Sequence, residues 1–362
     1  MKRGLVVRDP SEVSDSEWAA RITSLQSLMA TEGLDIALVY GDVFRSDDIG
    51  YLTNLCIYWN EGVVAVPSAG EPVFLTKLSP RVHTWMRKVS TVTDLRSGKS
   101  FGQLVSGLLA DRHPGVVGLV DADLWPESIV DDLRTSVGEW EVRLLGPIVR
   151  DQRATPSPAE LKLLRRGARI LADAAEEASR PGLPIQERVA VLEQSIRGSG
   201  FADLIVETSP CGGDAVSLQV TGEFRHGWLH VSRLVTGTSR APWIRALQAS
   251  LESAIEVARA GTNLPALLAA VERDLVDLPA GASWDVRCVN QADLATNGEL
   301  QPDDDADTFL LGAVVVIAVE LVVAGLVRAT VAETVLLTEQ GAEPLTMSER
   351  MTPASQEEVS TV

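Results

Sequence analysis

The chain is poor in cysteine, in histidine and in positive charge. Its three cysteines, Cys56, Cys211 and Cys288, show no metal-ligand spacing, and an odd number argues against a disulfide framework. A reducing compartment fits. Only 32 Lys and Arg stand against 50 Asp and Glu, a net charge of −18. That balance argues against a partner built on a phosphate backbone, so no nucleic acid is expected. No apolar run reaches the ~20 residues that span a bilayer. The most apolar stretch, Gly312 to Val327, carries Glu320 at its centre and reads as two buried strands around a turn at Gly325. The first ten residues hold no apolar run of signal-peptide length. The expectation is a soluble, acidic, cytoplasmic protein with no membrane partner. Residues from Thr352 onward read as a disordered tail.

What is present is ordinary globular composition, 45% hydrophobic and 23% charged, over 362 residues. That length suits two domains with separate cores. Ser14-Asp15-Ser16-Glu17 is a capping box before an amphipathic helix through Met29. Apolar runs at Ile36–Tyr40, Gly62–Val66, Pro72–Leu75 and Val116–Val120 predict strands, and Phe101–Leu109 and Pro126–Val137 predict helices. Alternating strands and helices indicate an α/β layer domain. Residues 149–158 read as a polar, proline-containing linker. Ser157 and Glu160 form a second capping box, opening a helix to Ser179, and another is expected from Gln186 to Ile196. Strand signals then run to Val235. Helices return at Ala241–Ala260 and Leu264–Val276, and Val314–Leu337 is β-rich. The division is placed at 1–151, 152–351 and a tail at 352–362.

Several phrases carry a resemblance. Gly213-Asp214-Ala215-Val216-Ser217-Leu218-Gln219 is followed by Gly227-Trp228-Leu229-His230-Val231-Ser232-Arg233. Gly33-Leu34-Asp35-Ile36-Ala37-Leu38-Val39 and Tyr51-Leu52-Thr53-Asn54 occur early, Ser157 to Arg165 opens the second half, and Thr334 to Thr346 closes it. In this order and at these separations they resemble the creatinase, prolidase and aminopeptidase P family. The resemblance implies a small α/β domain followed by a pita-bread domain.

Peptide-hydrolysing members of that family hold two Mn, Zn or Co ions with two Asp, one His and two Glu. Bridging carboxylates offset the mutual repulsion of the cations and leave a water between them as nucleophile. The resemblance places those positions at Gln219, at His230, near Asn290, at Ala318 or neighbouring Glu320, and at Ala332. Neutral side chains cannot replace bridging carboxylates, so no dinuclear metal site and no cofactor are expected. The family's substrate-facing loop before the Gly-Asp strand shrinks here to Glu207–Gly213, without the His that creatinase, itself metal-free, uses.

Strand alternation would put His230, Trp228 and His226 on one face. His230 and His226 are thereby candidate acid/base residues and Trp228 a pocket wall; a solvated His226 at a hairpin turn is the alternative. Asn290, Gln291, Asp293 and Asn297 are candidates for orienting hydrogen bonds, or form a polar loop. Glu320 would bind Arg328 or a substrate cation. Glu333 and Arg233 are read as structural support. Cys211 would need a base such as His230 to become a nucleophile. The resemblance also implies a homodimer in which Tyr58, Trp59 and Glu61 complete a neighbour's pocket, or else serve as packing residues. Three functions follow as expectations. The leading one is a metal-independent enzyme acting on a small amino or amidino compound, by hydrolysis, elimination or cyclisation. The rivals are a pseudopeptidase that binds a peptide or protein, and a working Xaa-Pro peptidase.

Overall fold

The computed structural model describes residues 8–212, 215–236, 241–276, 278–294, 308–323 and 327–347. Gly213, Asp214, Asn297, Gly325 and the proposed tail lie outside the described residues. The chain divides into two compact units, 1–160 and 161–362, where the sequence had placed the change at 151/152.

The first unit runs α1 (Asp15–Glu32), β1 (Ile36–Asp42), α2 (Asp47–Thr53), β2 (Glu61–Pro67), β3 (Val73–Thr76), α3 (His83–Val89), β4 (Asp94–Ser97), α4 (Phe101–Leu109), β5 (Val116–Val120), α5 (Glu127–Ser136), β6 (Glu141–Leu144) and α6 (Ile148–Arg153). Ser14 caps α1 by accepting from the Glu17 amide, and Gly33 ends it at φ 65°, a backbone state that costs glycine nothing. The six strands form one mixed sheet in the order β4-β3-β2-β1-β5-β6. Alternate residues of β1 serve two cores. Ala37 and Val39 pack with Leu25, Met29 and Leu52 of α1 and α2. Ile36 and Leu38 pack with Phe101, Val105 and Leu133 of α4 and α5. Helices therefore cover both faces, which is why β1 is a continuous apolar run.

Part of the segment expected to be linker is helical, since α6 occupies 148–153. Its Arg153 is buried and bonded to Asp48 at 2.7 Å, which draws this stretch onto the first unit. The second capping box is reciprocal. The Glu160 amide donates to Ser157 Oγ at 3.2 Å, and the Ser157 amide donates to the Glu160 carboxylate at 3.0 Å.

That box starts α7 (Pro158–Ala178), followed by α8 (Ile185–Gly198), β7 (Asp203–Pro210), β8 (Ala215–Phe224), β9 (Gly227–Thr236), α9 (Pro242–Val257), α10 (Leu264–Asp274), β10 (Ala282–Asn290), β11 (Val314–Val323), β12 (Val327–Leu337) and β13 (Ala342–Pro344). The strands form a second sheet, β10-β11-β12-β9-β8-β7, with β13 on β12. Its pairings are antiparallel throughout. Ile317, Val319, Leu321, Val331 and Val335 pack against Leu247, Leu251, Leu267 and Val271 of α9 and α10. The fold is thus an α/β domain followed by an antiparallel-sheet domain. Among the described residues no helix is long and apolar enough to cross a membrane.

On the same face of the sheet as α9 and α10, α7 lies close against the β8–β9 hairpin. A Cβ on Gly167 would come within 2.8 Å of Leu229 Cδ1 and 3.0 Å of Phe224 Cβ. Gly167→Val is therefore expected to destabilise the protein by roughly 1–3 kcal/mol through overpacking. Urea unfolding reads this directly, and an unchanged midpoint would show that the helix has room to move.

Candidate functional site

One row of residues crosses five strands of the second sheet on the face away from α9 and α10. Gln219 of β8 pairs with Ser232 of β9, Ser232 with Ala332 of β12, Ala332 with Ala318 of β11, and Ala318 with Arg287 of β10. Directly paired residues share a face. Four of the five positions where the resemblance puts metal ligands therefore gather here: Gln219, Ala332 and Ala318 in the row, and His230 one same-face step from Ser232. The row reads amide, hydroxyl, methyl, methyl, guanidinium. These five residues hold no anionic oxygen. The carboxylates nearest them are exposed Glu207, paired with Gln219 at the β7 edge, and Glu320, one step from Ala318 and taken up by Arg328, while Arg287 adds a positive charge at the other end. A pair of divalent cations does not fit this donor set. Among the described residues no group of three or more His, Cys, Asp or Glu side chains is placed to hold a metal ion.

The space over the two alanines is filled. Trp228 is fully buried and clusters with Val289, Leu294, Val316, Ala318 and Ala332. The sequence suggested Trp228 as the wall of a pocket; it is instead the centre of a small core. The small methyl groups of Ala318 and Ala332 belong to the same apolar cluster as its indole, and a carboxylate among these side chains would be desolvated without compensation.

His230 is 1% exposed. Its Nδ1 shares a hydrogen bond with Thr221 Oγ1 at 2.7 Å, and its buried Nε2 has no hydrogen-bond partner among the described residues. Burial drives the imidazole pKa down to about 4, and the charge of Arg233 pushes the same way. This ring is neutral at pH 7 and sealed from solvent, a poor setting for passing protons to a substrate. His226 does not share its face as expected. Strand alternation stops at Gly227, and Arg225 and His226 form the hairpin turn at φ 52° and 68°. The imidazole lies 3.8 Å from Glu223.

The remaining candidates have structural partners. Asn290 Oδ1 accepts from the Ala292 amide at 2.9 Å, forming the turn that ends β10. Buried Gln291 accepts from the Trp228 amide at 3.4 Å. Glu320 is paired with Arg328 at 2.9 Å and lies 3.8 Å from Arg287. Glu333 points to the opposite face from Ala332 and pairs with Arg233 at 2.8 Å. The supposed loop Glu207–Gly213 is mostly strand, because Glu207 to Pro210 complete β7 by pairing with Gln219 to Val216. Cys211 is buried, donates to the Ser209 carbonyl, and has its thiol pKa raised by burial, so it is not poised as a thiolate. Trp59 lies in the first unit, 55% exposed.

Residues that the sequence reading passed over join the two halves of this sheet. Only Ala332 and Ser232 register as a ladder pair between β9 and β12. Beside them, Thr334 Oγ1 accepts from the His230 amide at 3.0 Å and donates to the His230 carbonyl at 2.7 Å. Ser232 Oγ donates to the Thr330 carbonyl at 2.8 Å, and the Thr330 amide donates to Ser217 Oγ at 3.1 Å. Thr346 Oγ1 accepts from the Thr334 amide at 2.8 Å and donates to Glu333. A signal was present: Ser217 and Thr221 in β8, and Thr330 and Thr334 in β12, place hydroxyls four residues apart on one face of largely apolar strands.

Two expectations follow. Trp228→Ala should cost roughly 3–5 kcal/mol of stability in urea unfolding, because it empties a fully buried site. A cost near zero would mean that the cluster collapses without penalty. The folded pKa of His230 lies below the unfolded value of about 6.5. Its contribution to stability is therefore complete above pH 6.5 and is lost as pH falls toward 4, roughly 3 kcal/mol in all. His230→Gln, which cannot take up the proton, should flatten that part of the pH–stability curve. Superimposable slopes for the two proteins would remove His230 as the cause.

Residues 21–155 match the family model described as "Creatinase/Prolidase N-terminal domain". Among curated proteins none is significantly similar in sequence. Solved structures are similar along nearly the whole chain. The prolidase from Pyrococcus horikoshii OT3 has a TM-score of 0.73 at 15% identity, covering 92% of this chain and 99% of that one. The Xaa-Pro dipeptidase from Bacillus anthracis has a TM-score of 0.73 at 18% identity, covering 93% and 98%. The X-Pro aminopeptidase from Thermotoga maritima MSB8 has a TM-score of 0.75 at 16% identity, covering 91% and 98%. The chain thus carries a creatinase/prolidase N-terminal domain and has, at low identity, the two-domain fold of the prolidases and X-Pro aminopeptidases.

Proposed function

We propose that this protein is a non-catalytic relative of the Xaa-Pro peptidases, retained to bind a peptide or protein. The observation that carries the reading is the row Gln219–Ser232–Ala332–Ala318–Arg287 under a buried Trp228. Dinuclear hydrolysis needs anionic oxygens bridging two cations and a water held between them. Gln219, Ala332 and Ala318 offer neither bridging anions nor, with the indole in place, the space. Acid/base chemistry by His230 without a metal is less well supported than the sequence suggested, because the ring is sealed and His226 sits on a turn.

A working peptidase is the second reading, favoured by the similarity to solved Xaa-Pro peptidases. Titration of the purified chain with Mn²⁺ and Zn²⁺ by calorimetry, together with an assay on Xaa-Pro dipeptides, separates the two. We expect no stoichiometric binding of a metal pair and no turnover. Two ions bound per chain with hydrolysis would establish the peptidase. Turnover of a small amino or amidino compound that survives chelation and is lost in His230→Gln would establish the metal-independent enzyme.

A further inference from the structure

The deficit of positive charge is not uniform. Between residues 72 and 100 the sequence holds Lys77, Arg81, Arg87, Lys88, Arg96 and Lys99 against a single acid, Asp94. This is the reverse of the chain's overall balance of 32 basic to 50 acidic residues. The segment forms α3, the turn before it, and β4, the edge strand of the first sheet. Two contacts fold it into one surface. His83 Nε2 lies 2.8 Å from Ser97 Oγ, tying the start of α3 to the end of β4. Arg87 Nε donates to the Thr93 carbonyl at 3.3 Å, tying the end of α3 to the start of the strand. Arg81, Arg87, Lys88 and Lys99 are exposed and form no ion pair among the described residues.

An aromatic group borders these cations. Tyr58, Trp59 and Trp85 stand with ring centroids 5.8–5.9 Å apart. Trp85 belongs to α3, with Lys88 three residues after it, the spacing that puts side chains on one helical face, and Arg81 in the turn that leads into the helix. Trp59 is 55% exposed, a large indole held at the surface by its two ring neighbours. The recess beneath, floored by Leu55, Phe74 and Met86, has an open volume of about 10 Å³. That is far below the several hundred Å³ of a small-molecule site. Exposed aromatic anchors beside arginine are instead the usual centre of a protein interface.

We propose that Trp59, Trp85, Arg81 and Lys88 form a docking surface for an acidic segment of a protein partner, with the Trp59 indole as apolar anchor and the flanking cations pairing with carboxylates. Charge complementarity identifies the occupant. A short acidic segment brings negative charge only where the cations lie. A nucleic acid carries it along its whole length and meets the repulsion of a chain with net charge −18. This inference goes beyond the reading of the second sheet and stands whether or not that sheet is catalytic.

The test is selection of displayed random dodecapeptides on the full-length protein, followed by fluorescence anisotropy of the enriched peptides. We expect acid-rich sequences containing an aromatic or aliphatic residue. Their affinity should fall about tenfold in Arg81→Glu/Lys88→Glu and again in Trp59→Ala, and should fall with salt in the wild type. Circular dichroism and Tm should be unchanged, since all three side chains reach the surface. Failure to enrich any sequence overturns the proposal, as do enriched peptides without acidic bias, equal binding by both variants, or tighter binding of an oligothymidylate of the same length.

Discussion

The second sheet depends on how β9 is joined to β12. This is where the hairpin system β7–β8–β9 meets β10–β11–β12, and the backbone ladder there registers a single pair. Hydroxyl groups supply the remaining bonds, with Thr334 bridging both polar groups of His230 and Ser217 and Ser232 bracketing Thr330. Each bond contributes only about 1 kcal/mol net, but a buried backbone amide left without one would cost more than that. On one face of this join the indole of Trp228 fills the space. On the other, the Arg233–Glu333 pair and Thr346 close it. The join is thus held by hydroxyls, an ion pair and apolar contact.

Much of the fold was legible because its elements carry strong local signals. Ser14 caps α1, the Ser157–Glu160 box is reciprocal, and β1, β2, β5, β11 and β12 are apolar runs long enough to identify. The elements that went unread are short and polar. β4 is Asp-Leu-Arg-Ser and β6 is Glu-Val-Arg-Leu, and each is a strand because a neighbour offers it a ladder. Strand propensity of this kind lies in the context more than in the residues. α6 was hidden for a similar reason, since Arg153 looks like linker until Asp48, far away in sequence, neutralises it.

The candidate site was legible in register but not in depth. The phrases of the resemblance singled out Gln219, His230, Ala318 or Glu320, and Ala332, and the strand register brings Gln219, His230, Ala318 and Ala332 to one face. Whether that face encloses a cavity or a core depends on how far Trp228 reaches, which no spacing rule reports. His226 shows the complementary failure. A period of two holds only within a strand, and the positive φ values at Arg225 and His226 mark where it ends.

The pairing of Ala318 with Ala332 in the Trp228 cluster couples three positions to one another. A glutamate at either alanine would be buried in an apolar cluster with an indole in its way. Trp228 replaced alone would leave a void. Each change is costly by itself, and together they would not add, so this corner of the sheet accepts substitution only in concert.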